Sequence, residues 1–120
     1  MTEIQESVVI EQTQINDKDC IKFTFQGLFT KEDALMASKE WKEIASSGKK
    51  FIVIFHAKEM AGYEPMARAI WQKMIVELKS QIENIWLITD SKLIAAGAAI
   101  MSMFTSFTIK TVNSEEKIVV

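Results

Sequence analysis

The chain has few of the residues from which metal sites and covalent cross-links are built. It contains one histidine, His56, and one cysteine, Cys20. A lone cysteine cannot form an intramolecular disulfide, and these two side chains cannot supply the three or four preferred ligands of a zinc site. We therefore expect no bound metal, no cofactor and no disulfide bond.

Glycine and proline are also scarce, with four glycines and one proline among 120 residues. The glycines lie too far apart for a dinucleotide fingerprint or a phosphate-binding loop of the Walker type. A Gly-x-Ser-x-Gly nucleophile motif is missing as well. The sequence thus predicts no catalytic residues, and we expect that the protein is not an enzyme.

Neither sign of charge is in large excess, because the chain has 14 basic and 16 acidic residues and a net charge of −2. Recognition of a phosphate backbone usually needs a clustered basic face, so nucleic acid is not an expected partner. The longest apolar stretch, residues 93–101, is about half of the roughly 20 residues that cross a bilayer. We expect no membrane span, and without a recognisable secretion signal we expect a cytoplasmic protein.

The patterning that is present predicts one α/β domain over residues 1–120. Residues 7–14 and the alternating residues 20–26 predict a hairpin around a polar turn, and residues 51–55 and 85–89 predict strands buried on both faces. A helix begins after the N-cap Thr30 and ends before Gly48. A second helix opens at Pro65, a third covers residues 92–104 behind Asp90 or Ser91, and residues 107–112 predict a last strand.

These elements predict a single mixed sheet of four to five strands with three to four helices, in the order β-β-α-β-α-β-α-β. The hairpin is followed by parallel crossovers. The end of the chain stays open, since residues 114–120 fit either a last helix or an irregular tail.

The second and third helices are more apolar than one core contact requires. We predict an interaction surface on them, formed by Met66, Ile70, Trp71, Met74, Ile75, Ile100, Met101 and Met103. The cover for these side chains is a second subunit of a homodimer, a partner protein or an apolar small molecule, or else the C-terminal segment folds over them.

Three polar side chains follow the central predicted strand: His56, Lys58 and Tyr63. Ligands of open α/β folds usually bind beyond the carboxyl ends of the strands. We therefore predict these residues as a small-molecule site. The alternative is that His56 is a structural residue that bonds to nearby backbone.

The order of elements resembles the STAS domain of bacterial anti-sigma-factor antagonists and its small stand-alone relatives that are similar to SEC14 proteins. The resemblance lies in residues 25–30 before the first helix, in residues 51–57 and in residues 85–90. It implies a bacterial, non-catalytic module for protein interaction or ligand sensing. In the antagonists a serine after the central strand is phosphorylated, whereas residues 56–63 here contain neither serine nor threonine.

Two hypotheses follow from the sequence. The first is a non-enzymatic regulatory or protein-interaction module that forms a homodimer or binds a partner protein through its second and third helices. The alternative is a carrier or sensor of an apolar, lipid-like molecule held between those two helices and the sheet.

Overall fold

Five strands and three helices follow one another in the computed structural model, which describes residues 7–119. The strands are β1 (Val8–Ile15), β2 (Lys18–Phe29), β3 (Phe51–Tyr63), β4 (Ile82–Ile88) and β5 (Ile109–Val112). The helices are α1 (Lys31–Ala45), α2 (Pro65–Glu77) and α3 (Lys92–Thr105), and short 3₁₀ turns cover Lys79–Gln81 and Glu115–Lys117. The predicted fold class and element order are confirmed.

The sheet follows the order of the chain, β1-β2-β3-β4-β5. Strands β1 and β2 are antiparallel, and the pairing of Ile15 with Lys18 leaves a two-residue turn at Asn16 and Asp17. Both turn residues have positive φ, 50° and 68°, which matches the twist of a hairpin and which Asn and Asp tolerate better than most residues. The other neighbouring strands are parallel.

All three helices pack on one face of the sheet. Each parallel crossover leads to the next strand in the same direction along the sheet. Because these crossovers share one handedness, they place their helices on the same face of the sheet. The main core accordingly joins α1, α2 and α3 to odd-numbered strand residues such as Phe23, Val53 and Ile85. The helix layer thus has one side against the sheet, and no element within residues 7–119 covers its other side.

The opposite face of the sheet is covered by the C-terminal segment. Ile118 packs there in a second cluster, whose other buried members are Cys20, Ile52, Ile54, Trp86 and Ile88. Lys22 Nζ lies 2.8 Å from Glu115 Oε1 and ties the segment to β2. The end of the chain is therefore a 3₁₀ turn followed by an extended segment. This segment covers the sheet rather than α3. Val120 lies outside the described residues.

Helix starts follow the predicted signals. Thr30 Oγ1 accepts a hydrogen bond from Asp33 N at 3.2 Å, and Asp33 Oδ2 accepts one from Thr30 N at 3.1 Å, which completes a capping box. Pro65 occupies the first turn of α2. Ser91 rather than Asp90 caps α3, because its Oγ accepts from Ile94 N at 3.2 Å.

Strands β2 and β3 are longer than the sequence predicts. Strand β2 passes through Gly27, whose φ is 69°, and ends at Phe29, while β3 continues to Tyr63. The extensions pair with each other from Gln26 with Glu59 to Phe29 with Tyr63, and one register shift precedes Gln26 while a second follows Gly27. The prediction that Gly27 ends the strand is wrong, because neighbouring strands satisfy each other's backbone groups there. Residues 56–63 consequently form strand and not a loop.

Candidate functional site

A cavity of about 50 Å³ lies between α2, α3 and the helix-facing side of the sheet. One water needs roughly 10–15 Å³ measured in this way, so the space exceeds a single water. The lining is almost entirely apolar and comes from three strands and two helices, with Phe25, Phe29, Phe55, Ala57, Met60, Tyr63, Arg68, Trp71, Leu87, Ile94, Gly97, Ala98 and Met101. Its position is the one that the alternative hypothesis assigns to an apolar ligand.

Aromatic rings form the rigid part of the lining. The ring centroids of Phe25, Phe55 and Trp71 lie 6.0 to 6.2 Å apart, and Phe29 approaches Trp71 to 5.2 Å. Most of these pairs are edge to face, an arrangement that the ring quadrupoles favour. Met60 and Met101 complete the wall with flexible thioether side chains that adapt to the shape of a guest.

Tyr63 and Gly97 form a close contact at the cavity wall. A Cβ atom added at Gly97 would lie 2.8 Å from Tyr63 Cζ and closer still to the hydroxyl. Only glycine lets the phenol ring rest on α3 in this position. Tyr63 is half-buried and lines the cavity.

Two lining residues carry buried hydrogen-bond donors without a partner among the described residues: Arg68 through Nε and Trp71 through its indole Nε1. Sequence reasoning missed Arg68. The signal was available, because Arg68 is the only arginine of the chain and lies between two alanines on an apolar helix.

Of the three residues predicted as a small-molecule site, the structure places only Tyr63 at the cavity. His56 pairs in register with Thr24 and Ile88, and Ile88 belongs to the cluster on the opposite face. Successive strand residues point to opposite faces, so the cavity residue Phe55 and its neighbour His56 diverge. Lys58 instead approaches Asp90, with Nζ 3.6 Å from Oδ2. The structure therefore does not bring the three residues together at the cavity, and their role as a small-molecule site stays a prediction.

The residues of the predicted interaction surface fall into two groups, one buried and one exposed. Trp71, Met74, Ile75 and Met101 are buried in the core of the chain itself, so assigning them to a surface was wrong. Met66, Ile100 and Met103 are exposed, and Ile70 is half-buried. The sequence could not separate the two groups, because helices that are apolar on several faces do not show which face turns inward.

Burial in the second cluster raises the pKa of the Cys20 thiol above its ordinary value of 9.0. A hydrogen bond with the backbone of Ile15 lowers the pKa of the thiol, and the nearby acidic residues Asp19, Glu115 and Glu83 raise it with smaller effects. Cys20 is thus a protonated, buried thiol at neutral pH.

This raised pKa predicts a loss of stability in alkaline solution. Above pH 9.0 the unfolded thiol loses its proton while the folded thiol keeps it, so the free energy of unfolding falls as pH rises toward the folded pKa. Cys20→Ala should remove this dependence and leave an offset that is independent of pH. Urea unfolding of both proteins between about pH 8 and about pH 10.5 measures the difference. Parallel pH curves for wild type and variant would contradict the assignment.

Within residues 7–119, no group of three or more His, Cys, Asp or Glu side chains is arranged to hold a metal ion. Over the same residues, no helix is long and apolar enough to cross a membrane.

Comparison with known proteins agrees with the topology. The SpoIIAA-like family matches residues 20–118. An uncharacterised protein from Shewanella loihica PV-4 with a SpoIIAA-like fold superposes with a TM-score of 0.77 at 15% identity, over 97% of this chain and 94% of the other. No curated protein matches the chain. Because the family match spans most of the sequence, and confirms the resemblance to STAS domains, the chain belongs to the SpoIIAA-like family.

Proposed function

We propose that this protein is a non-enzymatic, regulatory binding module that takes up a small apolar molecule between α2, α3 and the sheet. The observation that carries the proposal is the cavity itself, whose lining is apolar apart from Arg68, Tyr63 and the indole nitrogen of Trp71. Transfer of an apolar molecule from water to such a lining is favourable by roughly 25 cal/mol for each Å² removed from water.

The arrangement of the wall supports a binding role. The sheet and two helices meet at the cavity, with Phe55 and Leu87 from the sheet, Trp71 from α2 and Met101 from α3. Cores of this size are normally packed with few voids larger than a water molecule. A partly open, apolar void at the junction of α2, α3 and the sheet lies where ligand sites between packed elements usually form.

Methionine methyl groups provide the test. In a protein labelled with ¹³C at the methionine methyls, titration with 1-octanol should shift the signals of Met60 and Met101, which line the cavity. The exposed Met36 and Met103 serve as internal controls and should not shift. The shifts should saturate with one dissociation constant for both lining methyls.

Shifts at Met103 without shifts at Met60 and Met101 would show surface association and would contradict the proposal. An absence of any saturable shift would contradict it as well.

The proposal that the module is not an enzyme rests on the surroundings of its one histidine. His56 Nδ1 is buried and has no hydrogen-bond partner within residues 7–119. A general base normally needs a group that orients its ring and a nucleophile within reach. His56 therefore lacks the supports that catalysis would require.

A second candidate function is self-association through the outer face of α3. Leu93, Met103 and Phe104 are 64, 79 and 63% exposed there, which is unusual for large apolar side chains grouped on one helix. We propose a homodimer in which two copies of this face pack together. Sedimentation equilibrium should then give a dimer for the wild type and a monomer for Met103→Lys, and a monomeric wild type would contradict it.

A further inference from the structure

Arg68 is a cation in a place that offers it no counterion. Its Nε is buried and unpartnered, and none of the five ion pairs found within residues 7–119 includes it. Arg68 as a whole is half-buried, and a buried donor such as its Nε is unfavourable when it has no hydrogen-bond partner. The cavity that Arg68 lines is the space from which a partner can approach.

Trp71 offers a second donor on the same face of α2. It follows Arg68 by three residues, a spacing that places both side chains on one side of the helix. Trp71 is 3% exposed, and its indole N–H is likewise unpartnered and buried at the same cavity. Buried tryptophans usually find a hydrogen-bond acceptor for this group. Two unsatisfied donors at one apolar cavity indicate a missing acceptor.

The stability of α2 does not explain the position of Arg68. The first turn of a helix carries partial positive charge and favours acidic side chains. In α2 that turn contains no acidic residue, and Glu64, the N-cap residue, makes no side-chain cap. Its Oε1 instead accepts a hydrogen bond from Lys31 N at 2.7 Å. A cation at this end of the helix is therefore locally unfavourable.

We propose that the cavity binds a small amphipathic carboxylate, with the carboxylate accepting hydrogen bonds from Arg68 and Trp71 and the apolar body lying against the aromatic wall. This inference rests on the proposed binding function and names its ligand class. Arginine pairs with carboxylates through parallel, charge-assisted hydrogen bonds. Arg68 is the only charged residue of the lining, so a monoanion balances the charge and a doubly charged phosphate ester would not.

The test compares octanoate with 1-octanol by calorimetric titration. The two probes share the alkyl chain and differ in the charged head. The wild type should bind octanoate more tightly, and Arg68→Met should weaken octanoate binding by about 10- to 100-fold and 1-octanol binding by clearly less. Lys73→Met is the matched control, because Lys73 is an exposed cation on the same helix that pairs with Glu77. It should bind both probes as the wild type does.

Trp71→Phe gives a second variant that keeps an aromatic ring and removes the N–H, and it should weaken octanoate binding more than 1-octanol binding. Equal binding of both probes, unchanged in Arg68→Met, would overturn the carboxylate assignment and leave the apolar site standing. Binding of neither probe would overturn both proposals. Circular dichroism melting of each variant verifies that the fold is intact. Arg68→Lys keeps the positive charge and should therefore retain part of the preference for octanoate over 1-octanol.

Discussion

Ala98→Leu is expected to weaken 1-octanol binding by about 10- to 100-fold, because the added carbons occupy the space that the guest needs. Ala98 is buried on α3 and lines the cavity. The larger side chain has a void of about 50 Å³ to enter, so the free energy of unfolding should stay within about 1 kcal/mol of the wild-type value. Titration calorimetry measures the first effect and urea unfolding the second.

Ala99→Leu is the matched control for this prediction. It makes the same change one residue further along α3, at an exposed position. Binding of 1-octanol should be the same as in wild type. If both variants bind equally well, or if Ala99→Leu alone loses binding, the guest does not occupy the cavity.

Phe23→Ala should cost about 3–5 kcal/mol of stability, a large part of the roughly 5–15 kcal/mol available to a domain. Phe23 is fully buried on β2 and contacts four other rings: Phe25, Trp41, Phe55 and Trp71. Its truncation leaves a cavity at the junction of α1, α2 and the sheet, where the surrounding rings cannot collapse without losing their edge contacts. Urea unfolding gives the value.

Phe104→Ala supplies the comparison, since it removes the same atoms from an exposed position on α3. Its cost should stay within about 0.5 kcal/mol. Comparable losses in the two variants would show that the aromatic cluster is not the centre of the core.

The sequence predicts the parts of the fold that depend on local chemistry. Alternation in β2, the capping box at Thr30 and the proline at the start of α2 are each decided within a few residues, and the structure confirms them. The ends of β2 and β3 depend instead on pairing between distant residues such as Phe29 and Tyr63. Considered locally, Gly27 predicts that β2 ends there, but pairing with β3 continues the strand beyond this residue.

The candidate site shows the same division. The general position between α2, α3 and the sheet follows from the surplus of apolar residues, and Tyr63, which the sequence predicts as part of a separate polar site, lines the cavity. The sequence groups His56 and Lys58 with Tyr63 because the three residues are close in the chain. The extension of β3 places His56 on the face of the sheet opposite the helices. The inward turn of Trp71 and Ile75 and the outward turn of Met66 are set by packing against α1, α3 and the sheet, which the composition of α2 does not encode.

The central claim is that an apolar molecule occupies the space between α2, α3 and the sheet. A crystal structure of the protein grown with 6-bromo-1-hexanol tests it directly, because the bromine atom gives an anomalous peak of known identity. We predict a peak within contact distance of Phe55, Leu87 and Met101, inside the cavity wall. A peak only on the outer face of α3, against Leu93 or Phe104, or no bound molecule at a saturating concentration, would contradict the claim.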